Sequence, residues 1–479
     1  MGGNVEEKKM SLFSVIATGA GLIVATSCLL TLGQGVGALG GAFIFSMLIA
    51  CLLNMMAVAS LCEMNALMPG LRGGMGQYTY ASIGALPAII AMLGGYLTTN
   101  CFTSSTEVSM CGIVFEEFFG WGVPPFVVGI GFIVVLGIVN LLGLGSYKLV
   151  QNIVAYALLG SLLVLGIIGI VGAGSGVIVE QPLVADGEIA SILALAPMAF
   201  WLFIGMDFII PMAGEIKNPR KNIPLGMFLS LIMIFVLLTI TVFGFRNYVL
   251  WGDMAVADSP HIVYGVQVLG QGGIIWMGIV AILAAISTVN VVIGGVARIM
   301  EGMAQMGLVP AVFAKRNSRG MPYAGIIIMM CGLIAVLSIF QAADAEGLIV
   351  LILTGCTFWM VAYVIAHLNV LVMRKRMPDA PRSFKLPLGP TIPLVGMLGM
   401  LWMIYNIDPD PEFRMVILRT VGIALIIYAA YGVIWIKLKL KRPLFKPMPV
   451  EEVMRIQEKY EKINEIIMKE RMAVKKHQE

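Results

Sequence analysis

The stretch "AFWLFIGMDFIIPMAGEIKNP" (residues 199–219) decides how the rest of the chain is read. It belongs to an apolar run long enough to cross a bilayer, yet Gly205, Asp207 and Pro211 lie near its middle. Glycine and proline weaken a helix, and a carboxylate in hydrocarbon is energetically costly. A helix that served only as an anchor would avoid all three. The stretch therefore predicts a membrane helix that opens at Gly205 to bind something.

Composition places the chain among multi-pass membrane proteins. Of its 479 residues, 59% are hydrophobic and 12% are charged, with a mean hydropathy of +0.94. Apolar stretches of about 20 residues, the length of a membrane span, predict an all-α membrane protein with twelve transmembrane helices. They cover residues 12–36, 38–62, 85–115, 124–143, 151–173, 190–213, 224–245, 273–300, 322–341, 347–372, 388–407 and 415–437.

Basic residues indicate the orientation. Of the 31 lysines and arginines, only Arg246, Arg414 and Arg419 fall on the side of the predicted bundle opposite the N-terminus. The positive-inside rule then puts both termini in the cytoplasm, as an even number of spans requires. Short loops and the lack of eukaryotic targeting signals favour a multi-pass protein of the cytoplasmic (plasma) membrane.

Two predicted spans are interrupted at matching places. The first, "ATGAGLIVATSCLLTLGQGVG" (17–37), contains five glycines and a polar Thr26–Ser27 step, and the sixth contains Gly205. Such pairs point to an inverted-repeat architecture whose binding site lies where both helices break. The predicted units are an N-terminal segment (1–11), two five-helix repeats (12–173 and 190–372), helices 11 and 12 (388–437) and a basic, amphipathic tail (438–479).

Five motifs in a fixed order carry a family resemblance. They are "CEMNALMPGLRGGMGQYTYA" (62–81), "NLLGLGSYKLVQN" (140–152), "FWLFIGMDFIIPMAGEIKNPRKNIPLG" (200–226), "ARIMEGMAQMGLVPAVFAKRNSRGMPYAG" (297–325) and "RKRMPDAPRSFKLP" (374–387). Together they resemble the amino acid–polyamine–organocation transporter family over essentially the whole chain. The resemblance implies a 5+5 inverted-repeat, leucine-transporter-type fold with helices 1 and 6 broken. It also implies a secondary transporter that moves a small amino acid or related amine by alternating access.

The resemblance assigns substrate contacts to both breaks. In this family, backbone N–H groups of the unwound first span take the substrate's carboxylate. The corresponding residues here are Ala25, Thr26 and Ser27, in place of the usual glycine-containing triplet. Carbonyls around Trp201 and Gly205 would receive the ammonium, with the Trp201 ring capping the substrate. The alternative for Trp201 is an interfacial or core tryptophan.

Asp207 has three interpretations. It could pair with a cationic substrate, carry a coupling proton, or cap backbone N–H groups freed by the break. Glu215 and Glu63, nearer the cytoplasmic end, are expected to pair with basic residues as structural or gating groups.

The third span has a polar face. Thr99, Thr103 and Thr106 recur at helical spacing, and Thr103 aligns with a substrate-facing position of the family. Glu107 lies about 14 Å inside Glu116 at 1.5 Å per residue, which suggests a vestibule residue or a second group that attracts cations. The alternative is that these hydroxyls bond to their own helix backbone.

The sequence does not determine which ion, if any, drives transport. Many proton-coupled relatives carry a span-five lysine about eighteen residues after the position of Asn140, but that position is Leu158 here. Ser287 and Thr288 fall where sodium-coupled members of the fold bind sodium with span-one carbonyls, although both could be packing residues. Proton coupling, sodium coupling and exchange without an ion all remain candidates.

The tail carries an amphipathic pattern. Its apolar residues follow 3,4 spacing, which predicts a helix that lies on the cytoplasmic face or contacts a partner. These residues are Val453, Ile456, Tyr460, Ile463 and Ile467.

Other function classes find little support in the sequence. The seven cysteines lack metal-ligand spacing and the three histidines are far apart, so no metal site, cofactor or enzymatic centre is expected. No nucleic-acid partner is expected either; the expected partners are a small-molecule substrate and the lipid bilayer. Two alternatives remain: a polyamine or cationic-amine antiporter, and a non-transporting substrate sensor on the same scaffold.

Overall fold

The computed structural model describes residues 9–257, 259–339 and 345–478. Residues 1–8 of the predicted N-terminal segment lie outside these ranges. Within them the chain is helical, with no strand beyond two isolated backbone bridges. The helices are α1 (Leu12–Ile23), α2 (Thr26–Leu39), α3 (Phe43–Leu67), α4 (Met75–Ser82), α5 (Ala85–Met92), α6 (Thr99–Phe119), α7 (Pro125–Leu141), α8 (Leu144–Val171), α9 (Ile189–Phe200), α10 (Pro219–Tyr248), α11 (Trp251–Val256), α12 (Pro260–Leu269), α13 (Gln271–Gln305), α14 (Tyr323–Ile339), α15 (Ala345–Arg376), α16 (Thr391–Tyr405), α17 (Pro411–Trp435) and α18 (Val450–Gln478).

Eight helical segments of the described chain are long and apolar enough to cross a membrane, and the bent pair α1–α2 makes nine. Three shorter apolar helices, α7, α14 and α16, lie where the sequence predicts the fourth, ninth and eleventh spans. The eight segments are Phe43–Leu67, Ala85–Glu116, Leu144–Val171, Ile189–Glu215, Pro219–Tyr248, Gln271–Gln305, Ile349–Arg376 and Pro411–Leu440.

The first span is broken between α1 and α2. Val24 has φ −78° and ψ 76° and Ala25 has φ −96° and ψ 167°, so both leave the helical region. The two halves are bent by 57°. The break ends at Thr26, and the amide groups of Thr26 and Ser27 at the start of α2 therefore have no backbone partners within their own helix.

The sixth span is broken at Ile204 and Gly205. Here α9 runs into a 3₁₀ turn (Trp201–Phe203), Ile204 is extended, and a second 3₁₀ helix (Met206–Glu215) follows. Gly205 has φ +125°, a conformation that favours glycine. A Cβ added to Gly205 would lie 2.8 Å from Cδ2 of Leu22, so the two broken spans are in close contact. Pro211 lies inside the second 3₁₀ helix and does not mark the break.

The observed second and third spans differ from the predicted ones in their backbone course. The second span was expected over 38–62 but α3 begins at Phe43, because Gly40, with φ +59°, ends α2 and turns the chain. The third span, expected as one helix over 85–115, contains a π-helical segment, Leu93–Thr98, between α5 and α6. Such π-bulges are frequent at functional sites.

Burial separates the centre of the bundle from its edge. In α13 every residue from Ser287 to Gln305 is buried. In α17, by contrast, Ile423 and Ile426 are 61% and 71% exposed. An exposed aliphatic surface of this kind suits contact with lipid.

Candidate functional site

A small cavity lies between the two breaks. Its volume is about 20 Å³, enough for about one water molecule. The break of the first span, the break of the sixth, α6, α13 and α15 all contribute to its wall. The lining residues are Leu22, Ile23, Ala25, Asn100, Thr103, Glu107, Trp201, Ile204, Thr288 and Trp359.

Glu107 occupies the N-terminus of α2. Its Oε2 accepts the amide N–H of Thr26 at 2.7 Å, and its Oε1 accepts that of Ser27 at 3.0 Å. The Glu107 residue is only 1% exposed. Of the two roles expected from its spacing from Glu116, burial disfavours the vestibule residue and leaves the group that attracts cations untested. In the structure Glu107 holds α6 against the broken span.

Side chains also tie the two breaks together and to α13. The Trp201 indole N–H donates to Oγ of Ser27 at 3.0 Å, and the Thr26 hydroxyl donates to the Ala281 carbonyl at 3.3 Å. Both donors are buried. Ser27 and Thr26 therefore lie behind the cavity wall, where they fix Trp201 and α2.

The residues predicted as substrate contacts divide into two groups. Ala25, Thr103 and Trp201 line the cavity, whereas Gly205 shapes the break without lining it. The Thr99 hydroxyl donates to the carbonyls of Gly94 at 2.9 Å and of Gly355 at 3.3 Å. Thr99 thus joins α6 to α15, because its hydroxyl is taken up by backbone.

Asp207 also lies outside the cavity wall and is bound by α15. Trp359 donates its indole N–H to Oδ2 at 3.1 Å, and Tyr363 donates its hydroxyl to Oδ1 at 2.8 Å. Asp207 is 2% exposed. Two side-chain donors thus bind the Asp207 carboxylate in the structure. The sequence had suggested a cationic substrate, a coupling proton or freed backbone N–H groups as its partner.

The pair Ser287 and Thr288 is bonded to neighbouring helices. The Thr288 hydroxyl donates to the Leu22 carbonyl at 3.1 Å. Ser287 accepts the Gln151 amide at 2.8 Å, and the same amide donates to the Ala17 carbonyl at 3.2 Å. The span-one carbonyl and span-eight hydroxyl considered as sodium ligands are therefore bonded directly to each other.

At the end of the bundle that carries Arg72, six charged side chains form what we call the ion-pair network. It contains three arginines and three glutamates and joins α13 and α18 to the loops beside them. Its pairs are Arg72–Glu215 (2.8 Å), Arg298–Glu215 (2.9 Å), Arg316–Glu301 (2.5 Å), Arg72–Glu301 (3.9 Å), Arg72–Glu461 (2.7 Å) and Arg316–Glu461 (3.0 Å). Glu63 forms a separate pair with Arg374 at 2.5 Å.

The C-terminal helix α18 joins the bundle through Val453, Gln457 and Glu461. Val453 is fully buried, and Gln457 accepts from the Gln77 amide at 3.4 Å. Burial alone would raise the pKa of Glu461, but the guanidinium groups of Arg72 and Arg316 lower it to about 2. The apolar face predicted for α18 is buried only in part, since Ile463 and Ile467 are 42% and 38% exposed.

Besides the aliphatic residues Leu22, Ile23 and Ile204 of the cavity wall, three side chains with hydrogen-bonding groups were not identified from the sequence. Asn100 lines the cavity, and Trp359 and Tyr363 bind Asp207. "FWMVAY" (358–363) places the two aromatic residues four positions apart, on one helix face. That spacing is the feature of the sequence from which Trp359 and Tyr363 could have been predicted as a pair.

Comparisons with known proteins decide the family. A family model described as amino acid permease matches residues 10–436. The chain belongs to the amino acid permease family. The resemblance to amino acid–polyamine–organocation transporters is thereby confirmed.

Relatives within the family are permeases and transporters. The branched-chain amino acid permease BcaP of Bacillus subtilis (strain 168) is 28% identical over 453 residues, which cover 89% of this chain and 93% of BcaP. The amino-acid permease RocE of the same organism is 25% identical over 260 residues, about half of each protein (53% and 56%).

Fold similarity extends to a solved transporter structure. The Eremococcus coleocola manganese transporter, in complex with an aromatic bis-isothiourea substituted compound, matches with a TM-score of 0.58 at 13% identity. The match covers 88% of this chain and 95% of the other. In the part of this chain that the structure describes, no group of three or more His, Cys, Asp or Glu side chains could hold a metal ion.

Proposed function

We propose that the chain is a secondary carrier that moves a small amino acid or related amine across the cytoplasmic membrane by alternating access. In this proposal the apolar helices form twelve spans, ten of them as a 5+5 inverted repeat, with both termini in the cytoplasm. Helices 11 and 12 (388–437) and the tail (438–479) lie outside the repeats.

The observation that carries the proposal is the meeting of two broken helices at one buried cavity. Leu22, Ile23 and Ala25 come from the first break, and Trp201 and Ile204 come from the second. Breaks expose unpaired backbone groups, which are tolerated at membrane depth only where they are buried in protein or line a cavity. Such a cavity, reached from either side in turn, is a suitable site for a solute.

The small volume of the cavity and the ion-pair network support an occluded state. A volume of about 20 Å³ admits a water molecule but no amino acid. The network closes the end of the bundle that the positive-inside rule assigns to the cytoplasm. Transport would then require the network to open and the two breaks to separate.

A polyamine or cationic-amine antiporter is the second candidate. Glu107 is the observation that favours it, since a carboxyl group is the one ionisable side chain among the described residues of the cavity wall. Exchange also needs neither a span-five lysine nor a free sodium site at Ser287 and Thr288. We therefore expect counterflow to continue after both the pH and the sodium gradients are collapsed.

Counterflow in proteoliposomes tests the carrier. Vesicles loaded with unlabelled amino acids and amines should accumulate the labelled compounds when the wild-type chain is present. Gly205→Ala should abolish this uptake because Ala is strained at φ +125° and its Cβ would contact Leu22. Gly214→Ala is the matched control, since nothing lies within 4 Å of its added Cβ. Binding without uptake of any compound would contradict the carrier and favour a sensor.

A further inference from the structure

The N-terminus of α2 already holds a carboxylate. Thr26 and Ser27 donate their amide N–H groups to the two oxygens of Glu107, at 2.7 and 3.0 Å. Free N–H groups at such a helix end are a ready receptor for an anion, because the helix dipole adds to their hydrogen bonds. Here a side chain 80 residues away in sequence uses this receptor with both oxygens.

Glu107 is held in this position from several directions. It is 1% exposed, and α6, which carries it, packs against α13 and α15. A substrate carboxylate could reach the N–H groups of Thr26 and Ser27 only by displacing a buried, bidentate group. Two carboxylates side by side in the same place would repel each other.

The remainder of the wall suits a cation. Among the ten described residues that line the cavity, Glu107 alone has an ionisable side chain. Trp201 and Trp359 both contribute to the wall, with ring centroids 6.4 Å apart and planes at 68°. Indole faces attract ammonium groups.

From these contacts we infer that Glu107 takes the place of a substrate carboxylate, and that the transported solute is a small amine cation whose own carboxylate is absent or blocked. The ammonium of the solute would meet the Glu107 carboxylate and the two indole rings. Its side chain would occupy the space that opens when the breaks separate. This inference rests on the proposed carrier function and narrows its substrate class.

Paired probes that differ only in the carboxylate test the inference. Arginine is compared with agmatine, and leucine with isopentylamine, by binding to the purified full-length chain and by counterflow. In the wild type, we expect each amine to bind about tenfold or more tightly than its parent amino acid. A site whose polar groups are left unpaired by the wrong ligand discriminates at least this strongly.

Glu107→Ala should reverse the preference. Removal of the side chain frees the N–H groups of Thr26 and Ser27, so the parent amino acids should gain affinity about tenfold while the amines lose it. Glu107→Gln keeps the shape of the side chain and one acceptor oxygen but is no longer a carboxylate, so it should weaken amine binding. It provides the test if the alanine variant does not fold. Glu116→Gln, nine residues farther along α6, is the control and should leave the ratio unchanged.

The outcomes separate the inference from the carrier proposal. If the wild type transports both amino acids as well as their amines, and Glu107→Ala leaves the ratio unchanged, the inference is overturned while the carrier stands. If none of the four probes binds to or is moved by any of the proteins, the inference is overturned, and the carrier proposal is decided by the counterflow of other amino acids and amines. A gain of amino acid binding by Glu107→Ala alone supports the inference, because a merely structural glutamate would give only losses.

Discussion

Tyr363 donates its hydroxyl to Oδ1 of Asp207 at 2.8 Å, and this bond joins the second half of the broken sixth span to α15. Trp359, one turn earlier on α15, donates to the other oxygen. Asp207 thus acts as a link between helices, and both of its carboxylate oxygens accept from side chains.

This geometry makes Asp207→Asn destabilising. Asparagine offers one acceptor oxygen where two are used, and its NH₂ group would face a donor. We expect a loss of about 1–3 kcal/mol in the free energy of unfolding, the range for a buried polar group left unsatisfied. Unfolding with SDS in mixed micelles measures it, and Asp379→Asn, at an exposed carboxylate, is the control. An unchanged free energy of unfolding would show that the two hydrogen bonds contribute nothing net.

The bond from Trp201 to Ser27 couples the two breaks. Trp201→Phe and Ser27→Ala each remove one partner of the 3.0 Å hydrogen bond. In a double-mutant cycle we expect a coupling energy of about 0.5–1.5 kcal/mol in the same unfolding assay. Independent effects of the two substitutions would mean that the breaks are held together by packing alone.

Glu461 attaches the C-terminal helix. Glu461→Gln removes the charge that pairs with Arg72 at 2.7 Å and Arg316 at 3.0 Å. We expect limited proteolysis within α18 to become several-fold faster. Glu458→Gln, one turn away, is the matched control because Glu458 pairs only with Lys462 of its own helix among the described ion pairs. Equal proteolysis of both variants would contradict an attachment through Glu461.

The pKa of Glu461 sets the pH range of this attachment. It is lowered from an ordinary value of 4.5 to about 2. A lowered pKa in the folded state stabilises the attachment above pH 4.5, and this contribution is lost as the pH falls from 4.5 through 2. A nitroxide at exposed residue 459, with Cys331 replaced by serine, should therefore keep constant mobility between pH 5 and 8 and gain mobility below about pH 4. Mobility that rises already between pH 7 and 5 would be inconsistent with this pKa.

The sequence predicts the positions of the two helix breaks better than the side-chain contacts made around them. Gly205 marks the sixth-span break because its positive φ is a local backbone property. The polar Thr26–Ser27 step lies directly after the first-span break, at the start of α2. The partners of Glu107 and Asp207 depend on residues 80 to 156 positions away in the chain. No local pattern specifies partners at such distances, so the sequence does not predict that Glu107 caps α2.

The tail illustrates the same limit. The apolar spacing of Val453 and Ile456 correctly predicts a helix, because amphipathic periodicity is local. Which face meets the bundle depends on distant partners: Gln457 contacts Gln77 of α4, and Glu461 pairs with arginines of the loops before α4 and after α13. Ile463 is left 42% exposed as a result.

The position of Glu461 in the chain has a consequence for biosynthesis. It follows Arg72 by 389 residues and Arg316 by 145. Since a chain is made from its N-terminus, the other five members of the ion-pair network leave the ribosome first. Until Glu461 follows, three arginines face two glutamates and the cluster carries one net positive charge. The carboxylate that neutralises this cluster is the last of the six to be translated, so this end of the bundle reaches its final charge balance only after its spans have been synthesised.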